Sequence, residues 1–450
     1  MMGHRQVEQA ALFYEFSLER HIPADHLLRS IDRFVDLEDL RRELAPFYSN
    51  IGRPSIDPEL MIRMLLIGYC FGIRSERRLC DEVHLNLAYR WFCRLGLDGT
   101  VPDHSTFSKN RHGRFRESDL FRRVFEAVLR RCIRERLVGG EGFAVDASLI
   151  KADANRQKGI EGDKGLPPEA ASRAIDEYLA VLDDVAFGAA TEVTPKFVSP
   201  SDPAARWTGA HGGQAFFAYS TNYLVDVENA IIVDVEATTA IRQAEVLAAK
   251  RMIERSLERF DLYPSRLLGD SAYGSAEMLG WLVYQHGIEP HVTVFDKSAR
   301  TDGTFSREAF TYDYAADVYR CPDGKTLTTT GRPVNDDRTI LYRASKHDCQ
   351  ACSLKSRCCP NTPARKVPRS IYEGARDMAR EIASSWEGRT SRRLRKKIEM
   401  LFAHLKRILK LDRLRLRGPN GARDEFTLAA TAQNLRKMAK LIPMPASTPA

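Results

Sequence analysis

Two short apolar runs in this chain each end on an aspartate, at a point where a strand gives way to a turn. The first is Gly142, Phe143, Ala144, Val145 and Asp146, just after Gly139 and Gly140 close a long helical region. The second runs from Arg266 through Leu267 and Leu268 into Gly269, Asp270, Ser271, Ala272, Tyr273 and Gly274. The glycines beside Asp270 let the backbone turn and open the site. Residues 216–227 and 230–238 alternate in character and join at Glu228 and Asn229, as in an antiparallel hairpin. Helical patterns cover 242–260 and 275–286, and a further strand is predicted at 291–295. Strands interleaved with helices predict an α/β core. In such a core the C-terminal ends of neighbouring strands converge on one edge of the sheet, so the two carboxylates are expected to meet.

A third acid comes late. Leu394, Ile398, Leu401, Leu405 and Ile408 recur at alternating spacings of four and three, which predicts one amphipathic helix over 392–417 with these residues buried. At about 100° per residue, Arg392, Arg395, Glu399, Lys406, Lys410 and Arg413 share a stripe on a different face. A lone carboxylate in a cationic stripe suits a metal ligand beside a phosphodiester. The same pattern also suits a plain basic helix on which Glu399 and Arg395 form a weak surface pair.

Residues 1–138 read as all-helical and as a DNA-binding domain. Asp57 caps a helix that starts with Pro58 and runs to 72. A second helix covers 75–95, a short one begins near 105 and carries Lys109 and Arg111, and Ser118 caps a basic helix reaching 137. Short helices with basic tips suit a helix-turn-helix-like unit; a helical bundle with solvated arginines has the same pattern. Residues 139–295 form the first part of the core, with a polar loop at 152–212 that holds one helix near 168–187. Residues 296–370 form a small β-rich insertion, and 371–442 the helical end of the core. In that last region Gly418, Pro419, Asn420 and Gly421 stop the Glu399 helix, a final helix spans 425–441, and 443–450 is a disordered tail.

The insertion carries five of the nine cysteines. Cys321, Cys349, Cys352 and Cys358 can close a tetrahedral zinc site, with Cys359 competing for the fourth place. A reduced thiol cluster and an iron–sulfur cluster are the alternatives. An odd count points to reduced thiols or metal ligands in the cytoplasm rather than to a disulfide framework. The formal net charge of +8, with six arginines between Arg122 and Arg136, points to a polyanionic partner. The longest apolar run, 61–72, is short and contains Arg63, so no membrane partner is expected. The first ten residues lack the apolar core of a signal peptide. A cytoplasmic, nucleoid-associated protein is the expectation.

The order strand Asp, strand Asp, helix Glu amid Arg and Lys resembles the DDE transposases of bacterial insertion sequences. The resemblance is closest to the broad IS-five-like branch, in particular the group numbered eleven-eighty-two. It rests on Phe143, Ala144, Val145, Asp146, Ala147 and Ser148 around the first acid, and on Leu268 to Gly274 around the second. It rests further on Arg395, Glu399 and Lys406, on Gly418, and on Gln433, Asn434 and Leu435 in the last helix. The helical segment 57–116 and the cysteine-bearing insertion are also similar, so the resemblance covers nearly the whole chain. One position departs: relatives often carry tyrosine seven residues before the glutamate, where this chain has Arg392.

The resemblance implies a ribonuclease H-like catalytic core, a mixed sheet flanked by helices, with an all-α N-terminal domain. It implies that Asp146, Asp270 and Glu399 hold two Mg²⁺ or Mn²⁺ ions, hard cations that oxygen ligands suit. The activity implied is cleavage of double-stranded DNA at the element's terminal inverted repeats. Direct attack of the freed 3′-hydroxyl on target DNA follows, with no covalent protein–DNA intermediate. Arg392, Arg395, Lys406, Lys410, Arg413, Lys109 and Arg111 are the expected DNA contacts, and a homodimer is expected in the synaptic complex. Tyr273 and Trp207 are candidates for stacking on an unpaired base, although for Trp207 a loop packing anchor is the favoured reading. Two other readings remain: a nuclease of the same fold that does not join strands, and a transposase-derived DNA-binding repressor.

Overall fold

Local signals set the helices of the N-terminal region. Asp57 caps the helix Pro58–Cys70 by accepting from the Glu59 amide, with proline in the first turn. Ser75 caps Glu76–Leu85 in the same way. Asn86 then ends that helix and caps the next, Leu87–Phe92, so the single helix expected over 75–95 is two. Ser118 does not cap the basic helix; its hydroxyl bonds back to the Arg114 carbonyl, and Leu120–Arg134 starts behind Asp119 in the left-handed region.

The computed structural model describes residues 16–49, 51–52, 55–166, 171–188, 194–209, 213–296 and 300–444. The N-terminal stretch expected to lack a signal sequence, parts of the polar loop and residues 445–450 of the expected tail lie outside them. Among the described residues no helix is long and apolar enough to cross a membrane. The fold is mixed α/β with a helical N-terminal region, and it divides into two units. One holds 1–139, 147–261 and 399–450; the other holds 140–146 and 262–398.

In the first unit the last helix, Gly418–Leu441, is the central pillar. It packs against Leu120–Arg134, Pro58–Cys70 and the strand Ile232–Thr239, and most of its residues are buried. Asn434, wholly buried, acts as a surrogate strand partner. Its Oδ1 accepts from the Ile232 amide at 2.9 Å and its Nδ2 donates to the Ile232 carbonyl at 2.8 Å. The hairpin Phe216–Asp226 and Ile232–Thr239 is antiparallel, with a register shift between Leu224 and Val225. Tyr219 and Tyr223 point into the core as strand residues. The helix Arg242–Phe260 covers the hairpin at the predicted bounds. One helix, Arg173–Ala180, lies within the polar loop.

In the second unit Gly142, Phe143 and Ala144, at the start of the strand Gly142–Lys151, pair in parallel with Arg266, Leu267 and Leu268, and Arg266–Gly269 pairs in parallel with Glu289–Val292. The helix expected over 275–286 is short, Ala276–Gly280, and widens into a π-type turn at Trp281–Gln285. The cysteine-bearing segment forms its own six-stranded antiparallel sheet, from Thr311–Asp313 to Lys366–Ser370. Its small core is Phe310, Tyr319, Leu327, Tyr342, Val367 and the thiols of Cys358 and Cys359.

The glutamate helix spans Trp386–Arg407, ten residues shorter at its C-terminal end than the period suggests. Ile398, Leu401 and Leu405 are buried as expected, but Ile408 is 48% exposed. Lys410 adopts φ 57°, and the chain then turns through Leu411 and Asp412 to bridge Arg413 to Lys151. Gly72, at φ 69°, explains part of this exit: a Cβ there would come within 2.7 Å of the Ile408 carbonyl oxygen. Gly418 and Pro419 begin the last helix rather than ending the previous one.

Candidate active site

The pairing of the first strand with the second fixes where the two aspartates stand. Gly142, Phe143 and Ala144 face Arg266, Leu267 and Leu268 in parallel register. Asp146 and Asp270 each lie two residues beyond the last of these pairs. In parallel strands equal steps keep partners level, and residues two apart share a face. The two carboxylates therefore occupy level positions on adjacent chain segments, both half-buried, although only Asp270 follows a strand end; the first strand runs on five residues past Asp146 to Lys151, so Asp146 lies within it and not at its end as expected.

Asp270 is held before any ligand arrives. Its backbone is still extended, and its Oδ1 accepts from the Ala272 amide at 2.7 Å, capping the turn Ser271–Tyr273. Gly274 closes the turn against the segment at Thr293, where a Cβ would come within 2.0 Å of the Thr293 carbonyl oxygen; no other residue fits. Tyr273 is 2% exposed, which removes it as a stacking residue. Trp207 packs edge-on against Phe197 and Phe217, at 5.3 and 5.0 Å between ring centroids, as a packing anchor does.

Glu399 is exposed on the helix Trp386–Arg407 and is the first residue of the other unit, so the two aspartates are brought together within one unit and Glu399 is not part of that pair. Within the aspartates' unit, the preceding part of the glutamate helix is tied to the sheet: Ser391 Oγ lies 2.7 Å from His291 Nδ1. His291 stands opposite Leu268 in the parallel register. Burial pushes the His291 imidazole below its ordinary pKa, with Glu289 opposing. Nothing in the spacing of the sequence announces this pair.

The expected DNA contacts separate into groups. Arg392 is exposed and donates to the Ala383 carbonyl at 2.8 Å. Arg395, one turn before Glu399, is half-buried and its Nε has no hydrogen-bond partner. Lys406 is half-buried, and desolvation lowers its pKa against the pull of Asp412. Lys109 is exposed on Ser105–His112. Arg111, by contrast, is 3% exposed and ion-paired with Glu76, which withdraws it from any partner. Lys410 and Arg413 do not share the helix stripe, because the helix ends before them. Arg413 instead forms a 2.8 Å ion pair with Asp153, as does Arg417 at 3.0 Å.

Among the described residues no three His, Cys, Asp or Glu side chains are grouped closely enough to hold a metal ion. The two aspartates nonetheless offer carboxylate oxygens, the donor type that Mg²⁺ and Mn²⁺ take. Cys321, Cys349, Cys352 and Cys358 are brought together with Cys359 around a small cavity of the second unit.

Two family profiles match this chain. Residues 16–113 match the profile described as Transposase domain (DUF772), and residues 320–439 match the Transposase DDE domain. The second match contains Glu399 and the cysteines of the insertion; Asp146 and Asp270 lie between the matched segments. Among solved structures, the cryo-EM structure of a piggyBac transposase synaptic complex with hairpin DNA aligns over 93% of this chain and 73% of that chain. The identity is 10% and the TM-score 0.30, a superposition too loose to argue from. With a transposase domain at its N-terminal end and a DDE domain at its C-terminal end, the chain is a DDE-type transposase.

Proposed function

We propose that this transposase binds the terminal inverted repeats of an insertion sequence of the IS-five-like branch. It cleaves the DNA there and transfers the freed strand, using Asp146, Asp270 and Glu399 in a ribonuclease H-like core. The observation that carries this reading is the level placement of Asp146 and Asp270 on adjacent parallel strands. Chemistry of the DDE type depends on divalent metal, and the oxygen donors of this triad fit two Mg²⁺ or Mn²⁺ ions. When bound, such ions activate the attacking water or 3′-hydroxyl and stabilise the leaving oxygen.

The chain's own residues do the rest. Asp270 is oriented by the Ala272 amide, so its carboxylate needs no reordering when DNA arrives. Arg395 presents a planar fork to a phosphate, with an Nε that lacks a partner in the free protein. Lys406 offers a point charge, and Lys109, Arg392 and Lys410 track the backbone further out. Pairing two transposon ends calls for two copies of the chain. Supplied with a pre-cleaved end and Mg²⁺, the purified protein is expected to join it to target DNA. Nicking without joining would instead assign a nuclease, and tight end binding without either would assign a repressor.

A further inference from the structure

The second unit carries a chemical group that transposition chemistry does not use. Cys321, Cys349, Cys352, Cys358 and Cys359 line one narrow cavity at the edge of the antiparallel sheet. All five are free thiols. Cys321 sits in a tight knuckle: its amide donates to the Lys325 carbonyl at 2.9 Å, and the Gly324 amide returns to its own carbonyl at 2.8 Å. Gly324 takes φ 75° to make that turn. On the facing segment Cys358 and Cys359 belong to the module's small core, and Cys321 and Cys349 pack against it.

One buried cation beside the thiols has no carboxylate paired with it among the described residues. Arg365 is 6% exposed, and its two terminal nitrogens donate to the carbonyls of Cys358 and Phe305 at 2.9 and 2.8 Å. Its Nε has no partner, and among the described residues no carboxylate forms an ion pair with it. A buried cation left without a counter-charge is costly. Lys325 and Lys355 line the same cavity, as do Asp323 and Asp348.

We propose that this module is closed by one zinc ion held by Cys321, Cys349, Cys352 and one of the adjacent pair Cys358 and Cys359. Each ligating thiol gives its proton to solvent as its sulfur–zinc bond forms, with no change of oxidation state. Four thiolates around a dication leave a net dianion, which Arg365 faces from outside, its Nε giving an N–H···S bond. The thiols are not drawn together to metal-holding distance among the described residues, so binding contracts the cavity. The need is plain in the packing: short strands around a core of a few side chains make a module that gains from a staple.

The test uses the full-length protein. Metal analysis of protein purified with zinc in the medium should find about one zinc per chain. Cys349→Ser and Cys352→Ser should lose it, while Cys132→Ser, in an N-terminal helix, should keep it. Because a cysteine variant can fail to fold, cobalt is titrated into metal-stripped wild type as a second measurement. Intense visible bands and thiolate charge transfer, saturating at about one equivalent, are expected. Absence of cobalt–thiolate bands, zinc content unchanged in both serine variants, or a bound iron–sulfur chromophore would each overturn the proposal.

Discussion

Ser391 and His291 share a 2.7 Å hydrogen bond that ties the helix bearing Glu399 to the strand next to the Asp270 strand. The bond stands two turns before the glutamate on the helix. Neither residue is a candidate to touch DNA or metal, so both are positioning residues. The account predicts that His291→Ala and Ser391→Ala lower the rate of end cleavage by about 10–100-fold, the loss typical of an outer-shell partner. DNA affinity should be unchanged. Equal loss of affinity and rate would mean that the bond merely holds the fold.

Lys109 and Arg111, two residues apart on one helix, should behave oppositely. Lys109→Ala should leave stability intact and reduce the salt slope of end binding by about one contact. Arg111→Ala breaks a buried ion pair with Glu76 and should destabilise the protein by about 3–5 kcal/mol in denaturant titration. A stable Arg111→Ala protein with weakened DNA binding would contradict the assignment.

Asn434 takes the place of a strand partner for Ile232. Asn434→Ala leaves a buried amide and a buried carbonyl unpaired, each costing about 1–3 kcal/mol. The expected outcome is a loss of about 2–5 kcal/mol in global stability, read by denaturant titration. Asn434→Asp should recover only the half of the interaction in which Oδ1 accepts.

Asp202 is fully buried, and desolvation raises its pKa to about 6 despite bonds from the Tyr219 hydroxyl and the Gly418 amide. A raised carboxyl pKa means that the folded state holds the proton more tightly than the unfolded one. The stabilisation is therefore complete below about pH 3.8 and is lost as pH rises through about 6. Asp202→Asn should remove that fall, on the order of 2–3 kcal/mol across the window. Parallel pH profiles for wild type and variant would show that Asp202 does not titrate as described.

Much of the site could be read from the residues because strands leave simple marks. An apolar run marked the strand before each aspartate, but the first strand continues through Asp146 to Lys151, and only the pairing register sets the two acids level. The helix ends were harder. Leu405, Ile408 and Leu411 continue a helical period, yet Lys410 turns left-handed, Leu411 is buried in a turn, and Leu414 is buried just past the Arg413 bridge. Tertiary demands, the bridge between Lys151 and Arg413 and the close passage over Gly72, override the local pattern there. Gly418 and Pro419 suit a helix start as well as a stop, and only packing decides between them. Arg111 looked like a DNA contact because sequence does not disclose that Glu76 is waiting one helix away.

The central claim is that Asp146, Asp270 and Glu399 act as one metal-dependent site. Its most direct measurement is cleavage of a duplex carrying the element's own end, with Mg²⁺ or Mn²⁺, by wild type and by Asp146→Asn, Asp270→Asn and Glu399→Gln. The account predicts nicking by wild type and a loss beyond about 100-fold in each variant, more than an outer-shell change gives, with end binding retained. Nicking by Glu399→Gln at the wild-type rate would contradict it and leave the two aspartates without their third partner.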